Sequence, residues 1–262
     1  MDLVVTTVRE HYAAEMDTAR QFAAALNVPF VQRESRSVGN IKAAYGVNNI
    51  LAFSRRKGPV VYTEGGEFFF HLSMAELRIK NIINGKDDHM VTAMELKSGM
   101  SVLDCTLGLG TDAIVASFIA GTAGKVIGLE HSPVVALITR YGLQNFSGDN
   151  SEINRSMRNI QVCNLDYHQY LTRLPEKSFD IVYFDPMFRH PIQSSSNLKP
   201  LRYLADARPL DTLALQRARR IARNRVIVKE TSHSPEFTRL GITTVFGGKY
   251  SSIQYGMLEA GG

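Results

Sequence analysis

Tryptophan is absent from this sequence, and only two cysteines, Cys105 and Cys163, occur among its 262 residues. Both lie inside apolar runs, with no C-x-x-C pair and no histidine cluster beside them, so a zinc module and a disulfide scaffold are not expected. Nor is any other metal site. No apolar run approaches the roughly 20 residues that a membrane-spanning helix needs. The opening MDLVVTTVREHY lacks the basic head and long apolar stretch of a secretory signal. A cytoplasmic location without a membrane partner is the expectation. Internal repeats and low-complexity tracts are missing too.

What is present supports a folded enzyme-sized chain. Hydrophobic residues make up 44%, enough for a real core. Lysine and arginine exceed aspartate and glutamate by five, a balance compatible with a polyanionic partner or with a solvated basic surface.

Two patterns follow each other along the chain. LVVTT at 3–7 reads as a strand, and the spacing of Ala14, Ala19, Phe22, Ala23 and Leu26 predicts a helix before Pro29. NNILAFS, PVVYTEGG and EFFFHLS then read as a small meander punctuated by Lys57-Gly58-Pro59 and Gly65-Gly66. Residues 1–84 are expected to form a small α+β domain, with a possible role in substrate recognition. From about residue 100, SVLDCTL, KVIGLE, NIQVCNL, FDIVYFD and RVIVKE are short, β-branched and apolar on both faces. Helices are predicted over 112–120 and 133–144. This is the signature of a doubly wound α/β sheet, expected over 85–262. TTVFGG and SSIQYGMLE suggest a terminal antiparallel hairpin.

In such sheets, ligands bind beyond the carboxyl ends of the strands. VLDCTLGLGTDA carries Gly108-x-Gly110-x-x-Ala113, and Glu130 follows about 20 positions later, which fits a dinucleotide fingerprint. Glu130 is placed to accept hydrogen bonds from ribose hydroxyls, whether of a nicotinamide dinucleotide or of S-adenosylmethionine. Asp104 separates the two: a buried strand-end carboxylate needs a partner, and the cationic methionine end supplies one, whereas an anionic pyrophosphate would be repelled. Asp166, in Asn164-Leu165-Asp166 after another strand, could accept from an adenine amino group, although N-x-D also makes turns.

FDIVYFDPMF places Asp185-Pro186-Met187-Phe188 directly after a strand, and this resembles the [D/N/S]-P-P-[Y/F/W] motif of methyltransferases acting on exocyclic amino groups, with Met187 in place of the second proline. An exocyclic amino nitrogen conjugated to a base is a poor nucleophile. Asp185 and the Pro186 carbonyl could accept its two N–H bonds and aim its lone pair, while Phe188 stacks on the base. Proline fixes the backbone direction and donates no competing N–H. The base must be unpaired or flipped, which costs a few kcal/mol, and stacking returns roughly 1 to 3 kcal/mol. Arg189, His190, Lys199 and Arg202 follow the motif as candidate substrate contacts. Arg217, Arg219, Arg220, Arg223 and Arg225 form a second basic cluster that a solvated helix face would also explain. His71 reads as a packing residue, and Lys229 either faces the cleft or snorkels.

VLDCTLGLGTDA, VIGLEHSPVVA, VYFDPMF and RVIVKE, in this order, resemble the bacterial small-subunit ribosomal RNA guanine-N2 methyltransferases over about residues 85–250. Members of that family carry D-A-T-A-G-L-G-R-D-A, L-E-R-N-P, Y-L-D-P-M-F and V-V-V-K-R. The resemblance implies a Rossmann-like, seven-stranded methyltransferase sheet. It also implies S-adenosylmethionine bound around Asp104, Thr106, Gly108, Gly110, Asp112 and Glu130, with Asp185 and Phe188 at the target base. Thr111 stands where the family has arginine, RHPIQSSSNLK is less basic than the family's stretch, and Asp166 rests on the physical argument alone. The expected reaction is methyl transfer to guanine N2 in ribosomal RNA. Adenine N6 of DNA or RNA is the alternative substrate, and a non-catalytic RNA-binding module the alternative class.

Overall fold

Residues 2–8, 13–54, 56–186, 199–248 and 251–261 are described by the computed structural model. The meander predicted near the N-terminus is a four-stranded sheet of β1 (Leu3–Thr7), β2 (Asn49–Ser54), β3 (Gly58–Thr63) and β4 (Gly66–Phe69), paired in that order. β1 runs parallel to β2, and the next two pairings are antiparallel. A parallel pair needs a long crossover, supplied here by α1 (Ala13–Leu26) and α2 (Val38–Tyr45). The sequence reading did not anticipate α2, whose ends are nonetheless marked: Ser37 accepts from the Asn40 N–H, and Gly46 closes it in a left-handed conformation.

Seven further strands follow: β5 (Ser101–Asp104), β6 (Lys125–Leu129), β7 (Ile160–Cys163), β8 (Phe179–Phe184), β9 (Ala222–Thr231), β10 (Thr244–Phe246) and β11 (Ile253–Glu259). They form one sheet in the order β10-β11-β9-β8-β5-β6-β7. β9, β8, β5, β6 and β7 pair in parallel. β11 alone is reversed, entering antiparallel between β9 and β10, which is the expected terminal hairpin. This is the Rossmann-like α/β sheet that the alternation of apolar runs predicted. The strand order turns back between β5 and β8, so the crevice of the doubly wound fold lies there.

Both faces of the sheet are covered. α3 (Ser73–Ile83), α4 (His89–Met94), α5 (Thr111–Ala120), α6 (Pro133–Asn145) and α7 (Ser151–Arg158) contribute to one core, which also takes in the N-terminal sheet. α8 (Tyr167–Arg173), α9 (Thr212–Ile221) and α10 (Glu236–Arg239) close the other. No helix among the described residues is long and apolar enough to cross a membrane.

The N-terminal sheet is keyed to the larger one through α6. Phe22 of α1, Phe53 of β2 and Tyr141 of α6 meet edge to face, with ring centroids 5.5 to 5.7 Å apart. One residue on, Phe70 lies so close to Gly142 that a Cβ there would stand 1.9 Å from the ring. Gly142→Ala is therefore expected to lower stability by about 1–3 kcal/mol, despite alanine's better helix propensity. The urea unfolding midpoint reads this directly, and a neutral or stabilising result would contradict the close packing.

Candidate active site

Strand parity decides which side chains meet at the rim. Val102, Val126, Ile181, Tyr183 and Ile227 point into the core containing α5, whereas Leu103, Ile127, Val182, Phe184 and Val228 point into the opposite one. Counting onward by two places Asp104, Glu130, Asp185 and Lys229 on the α5 side. Tyr255 stands opposite Lys229 in the β11 register and joins them.

Asp104 ends β5 and is only 2% exposed. Among the described residues its carboxylate accepts one hydrogen bond, from the Thr106 N–H at 3.0 Å, and no cation pairs with it. Burial pushes its pKa well above the ordinary value and the Asp112 and Asp185 charges push it further, only partly opposed by that bond and by the more distant Lys229 charge. The Thr106 hydroxyl, in turn, accepts the Asp185 N–H at 2.6 Å. A single residue thus bonds to both rim acids.

The glycine turn has the conformation that its residues predict: Gly108 and Gly110 have φ of 53° and 76°, values a Cβ disfavours. Glu130 braces this turn. Its carboxylate accepts the Gly108 N–H at 3.0 Å and the Ser132 N–H at 2.8 Å, while Thr139 donates to the Gly108 carbonyl at 2.6 Å. Burial raises the Glu130 pKa against the pull of those two N–H groups. Asn164 donates to the backbone carbonyls of Glu130 and His131, tying the β6 and β7 ends together. Asp166 caps α8 through the His168 N–H and pairs with Arg208 at 2.9 Å. Arg208 holds its pKa low despite partial burial.

Asp112, in the first turn of α5, is the most heavily bonded acid of the group. One oxygen accepts from Tyr183 at 2.8 Å and from Lys229 at 2.9 Å, and the other from Arg78. Lys229 also reaches Asp185 at 2.7 Å. Arg78 extends the network to Asp88 with bonds of 2.7 and 2.8 Å, and Asp88 caps α4 through the Met90 and Val91 N–H groups. Although burial opposes it, Lys229 and Arg78 hold the Asp112 pKa below its usual range. For Asp185 burial wins: against the Lys229 charge, and helped by Asp112, its pKa rises to about 6.

Asp104, Thr106, Gly108, Gly110, Asp112, Glu130 and Asp185 therefore gather at one rim, with Pro186 beside them. Met187, Phe188, Arg189 and His190 lie outside the described residues. Lys199 caps a 3-10 turn, Pro200–Tyr203, and Arg202 lies within it. With Glu64, Gly65 and Tyr203 they line a cavity of about 480 Å³ beside the β3–β4 turn. The second basic cluster is committed internally: Arg217, Arg219, Arg220 and Arg225 donate to backbone carbonyls, and Arg223 pairs with Asp180. Sequence reasoning passed over Arg78, Tyr183 and Asp88. Tyr183 has a signal, since parity alone puts it beside Asp185. Arg78 and Asp88 come from helices whose docking no local pattern reveals.

A family model for SAM-dependent methyltransferases matches residues 67–251. The uncharacterized protein YpiP of Bacillus subtilis is 34% identical over 256 residues, covering 98% of this chain and 99% of that one. Ribosomal RNA small subunit methyltransferase J of Coxiella burnetii is 33% identical over 186 residues, covering 67% and 68%. The crystal structure of the SAM-dependent methyltransferase NGO1261 from Neisseria gonorrhoeae superposes with a TM-score of 0.66 at 17% identity, over 98% and 96% of the two chains. That likeness is one of fold.

The buried acid has a measurable signature. Because the folded-state pKa of Asp104 lies above its ordinary value of 3.8, the ligand-free protein loses stability as pH rises between the two. Asp104→Asn removes that loss. Its urea stability relative to the unmodified protein is expected to be highest at neutral pH and to decline as the pH falls toward about 4. A difference independent of pH would contradict the charge penalty assigned to this residue.

Proposed function

The chain belongs to the S-adenosylmethionine-dependent methyltransferase family, and from that premise we propose that it methylates the exocyclic N2 of a guanine in small-subunit ribosomal RNA. The observation that carries the reading is the Thr106 bridge: its N–H bonds to Asp104 and its hydroxyl accepts from Asp185. The acid fitted to a cationic cofactor and the acid fitted to an amino group are thereby held in one crevice. The relative named ribosomal RNA small subunit methyltransferase J supports the choice of RNA, as does the order of the four sequence motifs.

The residues present fit the cofactor. Asp104 is a buried carboxylate without a directly paired cation, and Gly108, its N–H held by Glu130, leaves open space where a side chain would stand. Glu130 keeps lone pairs for ribose hydroxyls beyond its two backbone bonds. Asp112 secures the start of α5 at the same end, and Asp166, next to Arg208, borders the region for the adenine ring. S-adenosylmethionine, when bound, supplies a sulfonium-linked methyl carbon; the amino nitrogen forms the new C–N bond, and the pair from the broken C–S bond leaves on a neutral thioether.

The chain's own part is orientation and charge. Asp185 and the Pro186 carbonyl accept the two N–H bonds of the amino group, directing its lone pair along the line of attack. Asp185 is also placed to take the proton that the nitrogen releases. Phe188 stacks on the flipped base, while Met187 lines its edge. Arg189, His190, Lys199 and Arg202 serve the RNA backbone, whose phosphates make binding salt-dependent.

Asp185→Ala is expected to lower methyl transfer by about 10²-fold or more while S-adenosylmethionine still binds with near-normal affinity by calorimetry. Nucleoside mass analysis of small-subunit RNA from a deletion strain should lack one N2-methylguanosine. Loss of N6-methyladenosine instead would redirect the assignment to adenine, and an unaltered nucleoside profile would refute the RNA substrate.

A further inference from the structure

We propose that Lys229 is a positioning residue for Asp185: it anchors one carboxylate oxygen and keeps the group ionised, so that the other oxygen is presented to the methyl-accepting amino group. This rests on the reading of Asp185 given above. Lys229 is 18% exposed in its side chain and Asp185 27%, so the pair sits at the mouth of the crevice and not in bulk solvent. The ammonium spends two of its three donors on Asp185 Oδ2 and Asp112 Oδ2, at 2.7 and 2.9 Å. Among the described residues no nitrogen donor reaches Asp185 Oδ1, while the Asp112 carboxylate lies against the group and raises its pKa.

The lysine is itself held in place. Its backbone is fixed by the β9–β11 pairing, opposite Tyr255. Its second partner, Asp112, is pinned by Arg78 and Tyr183, and Arg78 by Asp88 at the head of α4. A flexible four-carbon side chain would otherwise sample many rotamers; here its Asp112 acceptor is pinned from two further sides, and Asp185 inherits that fixity.

Charge bookkeeping around Asp185 gives the proposal a sign. Lys229 from β9 faces it, as do Asp112 from α5, Asp104 from β5 and Tyr183 from its own strand; Tyr255 from β11 and Arg78 from α3 act one partner further away. Lys229 favours the ionised form, while Asp112 and Asp104 oppose it. Deleting the lysine and neutralising Asp112 must therefore move the Asp185 titration in opposite directions. A residue that merely supported the fold would not separate them.

The test is a carbon-13 NMR titration of the Asp185 carboxyl in the full chain. The unmodified protein is expected to titrate at about 6. Lys229→Met should raise the midpoint above about 7, Asp112→Asn should lower it, and Lys229→Arg should stay near the starting value. The pH profile of single-turnover methyl transfer should follow the same order, with the KM for S-adenosylmethionine little changed in Lys229→Arg. If Lys229→Met fails to fold, Lys229→Gln, which removes the charge and keeps a polar end, makes the same comparison with Asp112→Asn. Midpoints that stay put, or that move the same way in Lys229→Met and Asp112→Asn, overturn the proposal. Absence of methyl transfer to RNA with the NMR order intact would fault the assigned substrate and leave the lysine's role standing.

Discussion

Four acids, Asp104, Asp112, Glu130 and Asp185, crowd the carboxyl rim of one sheet, and the cost of charge there, burial for all four and mutual repulsion among Asp104, Asp112 and Asp185, is the constraint around which the rest is arranged. Two unit charges 4 Å apart interact by about 4 kcal/mol near a protein surface, several times the net worth of a typical hydrogen bond. Geometry alone cannot hold such a cluster. Each acid meets the cost differently: Asp112 with three donors, two of them cationic, Glu130 with two backbone N–H groups, and Asp185 with Lys229. Asp104 has one N–H, with Lys229 acting on it only from a distance. It is buried with the fewest bonds of the set, and its place suits a positively charged ligand.

That arrangement recruits parts of the chain far from the rim. Arg78 reaches Asp112 from α3, and its other partner, Asp88, is the capping residue of α4. Helix capping and site electrostatics are therefore one structure. A buried charge pair broken on one side costs more than it contributed when whole, so an alteration at α4 is felt at the rim acids through two intervening ion pairs. The N-terminal sheet acts at longer range, seating α6 through its aromatic contacts, and α6 carries the Thr139 hydroxyl that holds the Gly108 carbonyl.

The sheet was legible because its cause is local. Runs such as IVYF and VIV are apolar at every position, which only a strand covered on both faces requires, and Gly108 and Gly110 announce a turn without Cβ atoms. Asp104, Glu130 and Asp185 stood out as acids at the ends of such runs. Lys229 was ambiguous, since a strand-end lysine can snorkel as readily as it can enter a crevice, and only the position of Asp112 decides. The basic cluster from Arg217 to Arg225 was ambiguous for the opposite reason. Its targets are mostly backbone carbonyls, which leave no trace in residue type. Arg78 and Asp88 were illegible, because their significance depends on how α3 and α4 dock.

The reversed strand β11 bears on how the protein is made. It lies between β9 and β10 and braces the backbone at Lys229, yet Ile253–Glu259 is translated after the other described strands. Until that segment leaves the ribosome, β10 has no neighbour in the sheet and the β9 edge stays open. The parallel core can condense without that segment, but the rim acquires its finished electrostatics only once β11 has inserted, so a product truncated before Ile253 would keep the parallel strands and lose the brace beside Lys229.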